Sequence, residues 1–336
     1  MRRTLRVCAA LAGIALVAAA CAAPRQTVAT STPGGTAAAT PNFEGKTLNV
    51  VTGPAGGVYI VYGAGLADVL SKRMKVAASA QQTTASVDNM KFIGQGKADL
   101  AFTLADTAYD GISGKAPQFT EKVDAKALAV LYTNYTQIVA KDGTGINTVA
   151  DLKGRRVSVG LAGSGTEIIT NRILDVYGMD PNKDIQRERL GPADSANALR
   201  DGKLDAFFFS GGLPTAAILD VANATKVKLI DHADAVKKLA DKYGPFYVSV
   251  KIPAGTYKND TEIVVSGVQN LLVVNSKFDP AFAKAILTTI FDFKSDLETI
   301  HAEAKNLKLE TATVGSPLEF HPGAIDFYKS RGAWKP

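Results

Sequence analysis

The sequence predicts an α/β fold of two similar lobes, each a mostly parallel sheet flanked by helices. Short β-like runs alternate with helical stretches along the chain. A pattern of strand, glycine loop and helix also occurs twice, at 48–70 and at 155–177. Each copy is followed by a related segment, GKADLAF at 96–102 and GKLDAFF at 202–208. This repeated order of elements indicates two similar domains with a site between them.

The N-terminus is typical of a secretion leader. Three arginines precede an apolar run over 7–23, which is shorter than the ~20 residues of a membrane-spanning helix. The small residues before Cys21 resemble a bacterial lipobox, although Ala18 stands where Leu, Val or Ile is commoner. We predict a signal peptide over 1–20 and a lipidated Cys21 that holds the exported protein at the outer face of the cytoplasmic membrane or in the periplasm. Simple cleavage is the alternative.

Residues 21–44 are predicted to form the lipidated N-terminus and a flexible tether, because 22–42 is rich in Ala, Thr, Pro and Gly and lacks periodicity. The formal charge of +6 falls to +3 without the leader, which holds three arginines and no acidic residue. Basic and acidic residues are mixed along the rest, so the charge gives no reason to expect a nucleic-acid partner. The remaining length suffices for two domains.

The glycine loop at 160–166 lies between a predicted strand and a predicted helix. The first N–H groups of a helix have no intrahelical partner and its dipole leaves that end partly positive, so an anion can bind there. Ser164 and Thr166 add hydroxyl donors. The loop of the first copy is placed in the same way, beyond the carboxyl end of a strand, where ligands bind in such sheets.

A third loop, 81–89, precedes another helical pattern. Ser86 is a candidate N-cap whose hydroxyl would accept from the N–H of Asn89, with the Asn89 side chain reaching back as in a capping box. Direct contact with a ligand is the other interpretation. Both can hold at different atoms.

Catalytic and metal-binding functions have little support. His232, His301 and His321 are widely separated and outside any metal-ligand spacing. The loop at 160–166 lacks the lysine of a P-loop and the third glycine of a dinucleotide fingerprint, and Ser164 is not in a GxSxG elbow. We therefore expect no catalytic residues, no cofactor and no metal.

Six segments carry a family resemblance: GPAGGVYIVYGAGLADVL, TTASVDNMKFIGQGKADLAFTLAD, NTVADLKGRRVSVGLAGSGTEIITNRILDVYGM, DGKLDAFFFSGGLPTAAI, IPAGTY and HPGAIDFYKSRG. In this order they resemble the TAXI family of TRAP-transporter solute-binding proteins. The resemblance implies two α/β lobes, joined by crossing strands, that close over one small solute. It also implies delivery to an ion-driven membrane permease and a small carboxylate, such as glutamate or 2-oxoglutarate, as the solute.

The resemblance also implies a binding site. Its residues would be Gly57, Val58, Tyr59, Ser86, Asn89, Ser164, Gly165, Thr166, Phe208, Phe209, Gly211 and Gly212. Because alternate residues of a strand face opposite ways, we expect Phe208 to be the ring that faces the loops. Arg172 and Arg189 could pair with a ligand, but we expect each to be a solvated charge.

The lobes are predicted to be interleaved in the chain. Lobe 1 would comprise 45–135 plus 245–336, and lobe 2 would comprise 136–244. One extended stretch passes through Tyr135, which marks the first crossing, and Gly244 begins a Gly-Pro break that marks the return.

Two other functions stay open at this stage. The protein could be a sensory subunit whose closure a membrane kinase reads, or a secreted enzyme on the same scaffold. For the transport function we expect three partners, namely the carboxylate solute, the TRAP permease subunits and the membrane that holds the lipid anchor. The protein itself is expected to be a monomer.

Overall fold

The computed structural model describes residues 41–115 and 117–335, so the predicted leader, Cys21 and most of the tether lie outside the described residues. The end of the predicted tether is described. Phe43 is buried there, and its ring stacks on that of Phe282 with the centroids 4.4 Å apart. The packed body therefore includes Phe43, which lies within the predicted tether at 21–44.

Strands and helices alternate along most of the chain. The strands are β1 (Thr47–Val51), β2 (Ala77–Gln81), β3 (Leu100–Leu104), β4 (Lys126–Lys141), β5 (Arg156–Ser158), β6 (Gln186–Glu188), β7 (Ala206–Gly211), β8 (Val227–Leu229), β9 (Val248–Ile252) and β10 (Ile263–Val274). The α-helices are α1 (Val58–Met74), α2 (Ser86–Gly94), α3 (Ala105–Ser113), α4 (Gly165–Val176), α5 (Pro192–Arg200), α6 (Ala216–Ala224), α7 (Ala233–Tyr243), α8 (Pro280–Asp292), α9 (Lys294–Ile300) and α10 (Pro322–Ser330). Short 3-10 helices occupy Val149–Leu152 and Ala302–Asn306.

The strands form one sheet in the order β2-β1-β3-β10-β4-β7-β5-β6, with β8 paired to β4 and β9 paired to β10. Pairing is parallel among β1, β2 and β3 and again among β5, β6 and β7. The central pairs, β3 with β10, β10 with β4 and β4 with β7, are antiparallel. The predicted α/β class with mostly parallel strands and flanking helices is confirmed.

Below, the first half denotes β1–β3 with α1–α3, and the second half denotes β5–β7 with α4–α6. The long strands β4 and β10 connect them. Strand β4 pairs with β10 up to Tyr135 and with β7 from Tyr135 onward, so this residue faces both Gly267 and Gly211. The partner of β4 thus changes at Tyr135.

The repeated GKAD and GKLD segments have the same role in both halves. Asp99 accepts from the backbone N–H of Asn49 at 2.7 Å, and its own N–H donates to the Asn49 carbonyl at 3.0 Å. Asp205 and Arg156 repeat this pair of bonds at 2.8 and 2.9 Å. Each aspartate fixes the register of two parallel strands near their amino ends, so the repeat is structural.

Helices α8 and α10 complete the core on one side of the first half. Ile286 of α8 and Phe327 of α10 lie in the same hydrophobic cluster as Leu48 of β1 and Leu66 of α1. The C-terminal segment thus packs against β1 and α1.

Candidate functional site

A cavity lies between the two halves, at the carboxyl ends of β1, β3, β5 and β7. The space between atoms in this region, part of which is open to solvent, is about 490 Å³. Its lining consists of backbone, hydroxyl and apolar groups. The lining residues are Pro54, Gly57, Val58, Tyr59, Thr84, Ala85, Ser86, Leu104, Gly160, Leu161, Ser164, Gly165, Thr166, Leu190, Gly191, Pro192, Phe209, Ser210 and Gly211.

Four helices begin at this cavity: α1 and α2 from the first half, and α4 and α5 from the second. The N-cap residues of α1, α2 and α5 are Gly57, Ala85 and Gly191, and none of them makes a side-chain capping bond. Unpartnered N–H groups in a first helical turn carry partial positive charge. Three such ends around one cavity, together with the end of α4 that Ser164 caps, favour an anion.

Three hydroxyls add hydrogen-bonding capacity. Ser210 is 8% exposed, and its Oγ has no partner among the described residues. Thr166 Oγ1 accepts from the Ser210 N–H at 3.2 Å, which leaves its hydroxyl hydrogen for a ligand. Tyr59 OH lies 3.4 Å from Asn134 Nδ2, and burial raises the Tyr59 pKa above its ordinary value of 10.0. Tyr59 is therefore a neutral phenol that can donate a hydrogen bond at physiological pH.

The structure brings most of the expected site residues together at the cavity. Those in the lining are Gly57, Val58, Tyr59, Ser86, Ser164, Gly165, Thr166, Phe209 and Gly211. Three others, Asn89, Phe208 and Gly212, are outside it.

Asn89 is fully buried and connects the strands of the first half. Its Nδ2 donates to the carbonyls of Thr52 at 2.6 Å and Phe102 at 2.8 Å, while its Oδ1 accepts from the Thr83 hydroxyl at 2.7 Å. These bonds occupy the amide. Asn89 thus shapes the cavity wall from behind.

The ring that faces the cavity is Phe209 and not Phe208. Phe208 is buried in the hydrophobic core that both halves share. The Phe209 ring lies against Gly57, where an added Cβ would come within 3.1 Å of Cζ. The expectation that Phe208 is the ring that faces the loops is therefore wrong by one residue.

The capping interpretation of Ser86 is wrong. Helix α2 begins at Ser86 itself, and its N-cap is Ala85, which has a φ of 97°. The Ser86 Oγ accepts from the Leu104 N–H at 3.2 Å, which links α2 to the end of β3. In α4, by contrast, Ser164 is the N-cap and its Oγ accepts from the Glu167 N–H at 3.1 Å.

The two walls of the cavity approach each other closely. Gly165 faces Leu104 and Ser86, and an added Cβ would lie 2.6 Å from Leu104 Cδ1 and 2.8 Å from Ser86 Oγ. The Thr84 hydroxyl lies 3.4 Å from the Gly163 carbonyl oxygen. Glycine at position 165 thus allows the second half to contact the first.

The two arginines that we considered for ligand binding contact protein carboxylates. Arg189 is half-exposed and donates to Glu167 at 2.7 Å, as does Arg187. Burial alone would raise the pKa of Glu167, but the hydrogen bonds from the two arginines outweigh it and lower the pKa. Arg172 is mostly buried and pairs with aspartates of the first half, so its prediction as a solvated charge is wrong.

Sequence reasoning missed part of the lining. Ser210 lies between Phe209 and Gly211 at the end of β7, where three consecutive residues line the cavity, so the period-two alternation of a strand does not suggest it. The start of α5 at Gly191 and Pro192 has its own signal, because proline favours the first position of a helix. Leu104 had no comparable signal, since its role depends on the contact with Gly165 across the cavity.

Solved structures share this fold. A protein described as a periplasmic transporter aligns over 87% of this chain and 94% of its own, with 11% identity and a TM-score of 0.52. A Bordetella bronchiseptica RB50 protein aligns over 86% and 90%, with 17% identity and a TM-score of 0.51. The Escherichia coli periplasmic aliphatic sulphonate binding protein aligns over 85% and 83%, with 17% identity and a TM-score of 0.46.

Among the helices of residues 41–115 and 117–335, none is long and apolar enough to cross a membrane. The model of the NMT1-like family matches residues 50–332, which include every residue that lines the cavity. That match covers most of the chain, and the protein belongs to the NMT1-like family.

Proposed function

We propose that the protein is an extracytoplasmic solute-binding protein that captures a small carboxylate, such as glutamate or 2-oxoglutarate, in the cavity between its halves. The observation that carries the proposal is the start of four helices at one cavity. The buried hydroxyl of Ser210, which has no partner among the described residues, gives a second polar group in the same place. Carboxylate oxygens accept from N–H and O–H donors of this kind.

Capture would be coupled to closure of the cavity. The helix ends of α1 and α2 belong to the first half and those of α4 and α5 to the second, so a solute contacts both sets fully only when the halves are close. A ligand that interacts better with one arrangement shifts the population toward it. Closed halves would also exclude water, which strengthens the hydrogen bonds to the solute.

The proposal extends to delivery. The six segments that resemble TAXI proteins support transfer of the solute to a TRAP-type membrane permease, with no chemical change to it. The similarity in fold to a periplasmic transporter supports a transport role in general. A lipidated Cys21 would keep the protein near the membrane that holds the permease.

A thermal-shift panel tests the proposal. The protein would first be unfolded in guanidinium and refolded to remove any retained solute, and then heated with glutamate, 2-oxoglutarate, other small acids, sugars and neutral amides. A ligand at 100 times its dissociation constant adds about 2.7 kcal/mol to the folded state, which a melting curve resolves. We expect shifts from carboxylates alone. Shifts from neutral compounds, or from none of the compounds, would contradict the proposal.

Thr166→Val and Thr170→Val give a matched pair for this assay. Both residues lie in α4 and are buried, but only Thr166 lines the cavity, while the Thr170 hydroxyl has no partner among the described residues. We expect Thr166→Val to reduce the shift and Thr170→Val to leave it unchanged. Equal effects would argue against a solute at the start of α4.

A further inference from the structure

A buried charge cluster outside the cavity lining connects α3 of the first half to α4 of the second. Arg172 of α4 places Nη1 at 3.1 Å from Asp106 Oδ2 and Nη2 at 2.5 Å from Asp110 Oδ2. Tyr247, in the segment before β9, donates from its hydroxyl to Asp106 at 2.6 Å and accepts from Arg172 at 2.9 Å. The cluster thus joins three segments that are far apart in the sequence.

These groups are removed from water. The side chains of Arg172, Asp106 and Asp110 are 14%, 0% and 7% exposed. Burial raises the pKa of Asp110, and the positive charge of Arg172 opposes that rise. A buried carboxylate that loses its cation is strongly disfavoured, so this contact holds α3 and α4 together as long as water is excluded from the cluster.

The residues of the cluster come shortly after the two walls of the cavity in the sequence. Asp106 is two residues after Leu104, and Arg172 is seven residues, or two helical turns, after Gly165. Leu104 and Gly165 are themselves in contact across the cavity. The start of α4 therefore contacts the first half at Leu104, and Arg172 further along α4 contacts α3 through the charge cluster, so a movement that parts the walls also strains the cluster.

We propose that Arg172, Asp106, Asp110 and Tyr247 form a latch between the halves, with Arg172 as a positioning residue that keeps the start of α4 at the cavity. This inference rests on the proposed function, because a latch between the halves acts only if the cleft between them closes on a solute. Within the described part of the chain, the charged groups of the latch make no hydrogen bond or ion pair with a residue that lines the cavity. Its effect is on the balance between open and closed halves.

A second arginine, which is more exposed than Arg172, provides a control within one half. Arg156 makes a similar two-point contact with Asp205, at 2.6 and 3.1 Å, but both residues lie in the second half. Losing that pair weakens the packing of one half without acting between the halves. A comparison of Arg172→Gln with Arg156→Gln therefore separates a latch from an ordinary ion pair.

Hydrogen exchange of the purified full chain, with no solute present, tests the latch. We expect Arg172→Gln to speed exchange about tenfold or more in both walls, at 84–90 and at 160–166, because the closed arrangement becomes less populated. Arg172→Lys should give a smaller increase, and Arg156→Gln should leave 84–90 unchanged. Asp110→Asn removes one of the two carboxylates that pair with Arg172, at lower cost to folding, and should also speed exchange in both walls.

The segment 84–90 is the readout in the first half, since it contains no residue of the cluster. Faster exchange only in α3 and α4, with 84–90 at the wild-type rate in Arg172→Gln and Asp110→Asn, would overturn the latch and leave a local structural role. The same increase at 84–90 in Arg156→Gln would also overturn it. Since no acid is added, failure of the solute panel does not alter how this experiment is read.

Discussion

Replacing Gly165 with alanine tests closure at the point where the two walls meet. The added Cβ would lie 2.6 Å from Leu104 Cδ1 and 2.8 Å from Ser86 Oγ, both in the first half. Gly165 is the first residue of α4 and is not among the positive-φ residues, so alanine fits its own backbone. The clash is therefore specific to the closed arrangement. An open cleft has room for the methyl group.

The size of the effect follows from the cost of overpacking. Inserting a methyl group into a packed contact costs about 1–3 kcal/mol, and the Leu104 side chain can relieve part of it by turning. We expect a loss of about 1–2 kcal/mol in binding, which is roughly a 5- to 30-fold weaker dissociation constant. The melting temperature of the solute-free protein should fall less than binding weakens, because an opened cleft relieves the clash and alanine favours a helix over glycine by up to about 1 kcal/mol.

Calorimetric titration with a carboxylate that shifts the melting curve would measure this change. Gly94→Ala is the control, since Gly94 ends α2 and its added Cβ would meet Val123 Cγ1 at 3.1 Å within the first half. Undiminished affinity in Gly165→Ala would refute the reasoning. So would an equal loss in Gly94→Ala, because that effect could not come from closure.

Three further predictions concern stability and location. Asn89→Ala removes the side-chain donor to the Phe102 carbonyl and one of the two side-chain donors to the Thr52 carbonyl, which keeps the Thr83 hydroxyl at 3.0 Å. The free energy of unfolding in urea should therefore fall by about 1–3 kcal/mol, and an unchanged urea midpoint would contradict this. Burial lowers the pKa of His232 to about 4 from an ordinary 6.5, so the unfolded chain binds a proton more readily. The free energy of unfolding should therefore fall by up to about 3 kcal/mol as the pH falls from about 6.5 to 4. His232→Gln should remove this part of the pH dependence measured by urea unfolding. A pH profile identical to that of wild type would contradict the role of His232. Cys21→Ser should move the mature protein from the membrane to the soluble fraction and remove a lipid from its intact mass, and equal fractionation would favour simple cleavage.

The fold was predictable because local patterns and global structure agree. Periodicity and glycine position located β1 with α1 and β5 with α4, and the internal repeat indicated two similar halves. What local patterns could not show was the antiparallel centre of the sheet. The long strands β4 and β10 pair over a separation of more than 100 residues, which no window of sequence reveals.

The site was predictable in its loops and less so in its side chains. Whether Phe208 or Phe209 faces the cavity depends on the phase of β7, which is set by its pairing with β4 and β5. The role of Asn89 depends on strands β1 and β3 passing behind it. The position of Arg172 depends on an aspartate more than 60 residues away. Each of these is decided by tertiary contacts that spacing alone does not contain.

The repeated aspartates explain why a cavity forms at one edge of the sheet in particular. Asp99 fixes β3 beside β1, and Asp205 fixes β7 beside β5, in each case near the amino ends of the strands. Parallel strands held in register at one end bring their other ends to a common edge. There the glycine loops after β1 and β5 meet the ends of β3 and β7, and the helices that follow these loops turn their N-termini toward the same space. The motif that is most visibly repeated thus positions the site from the opposite end of the sheet, and its loss should disturb the binding loops by loosening the strands that present them.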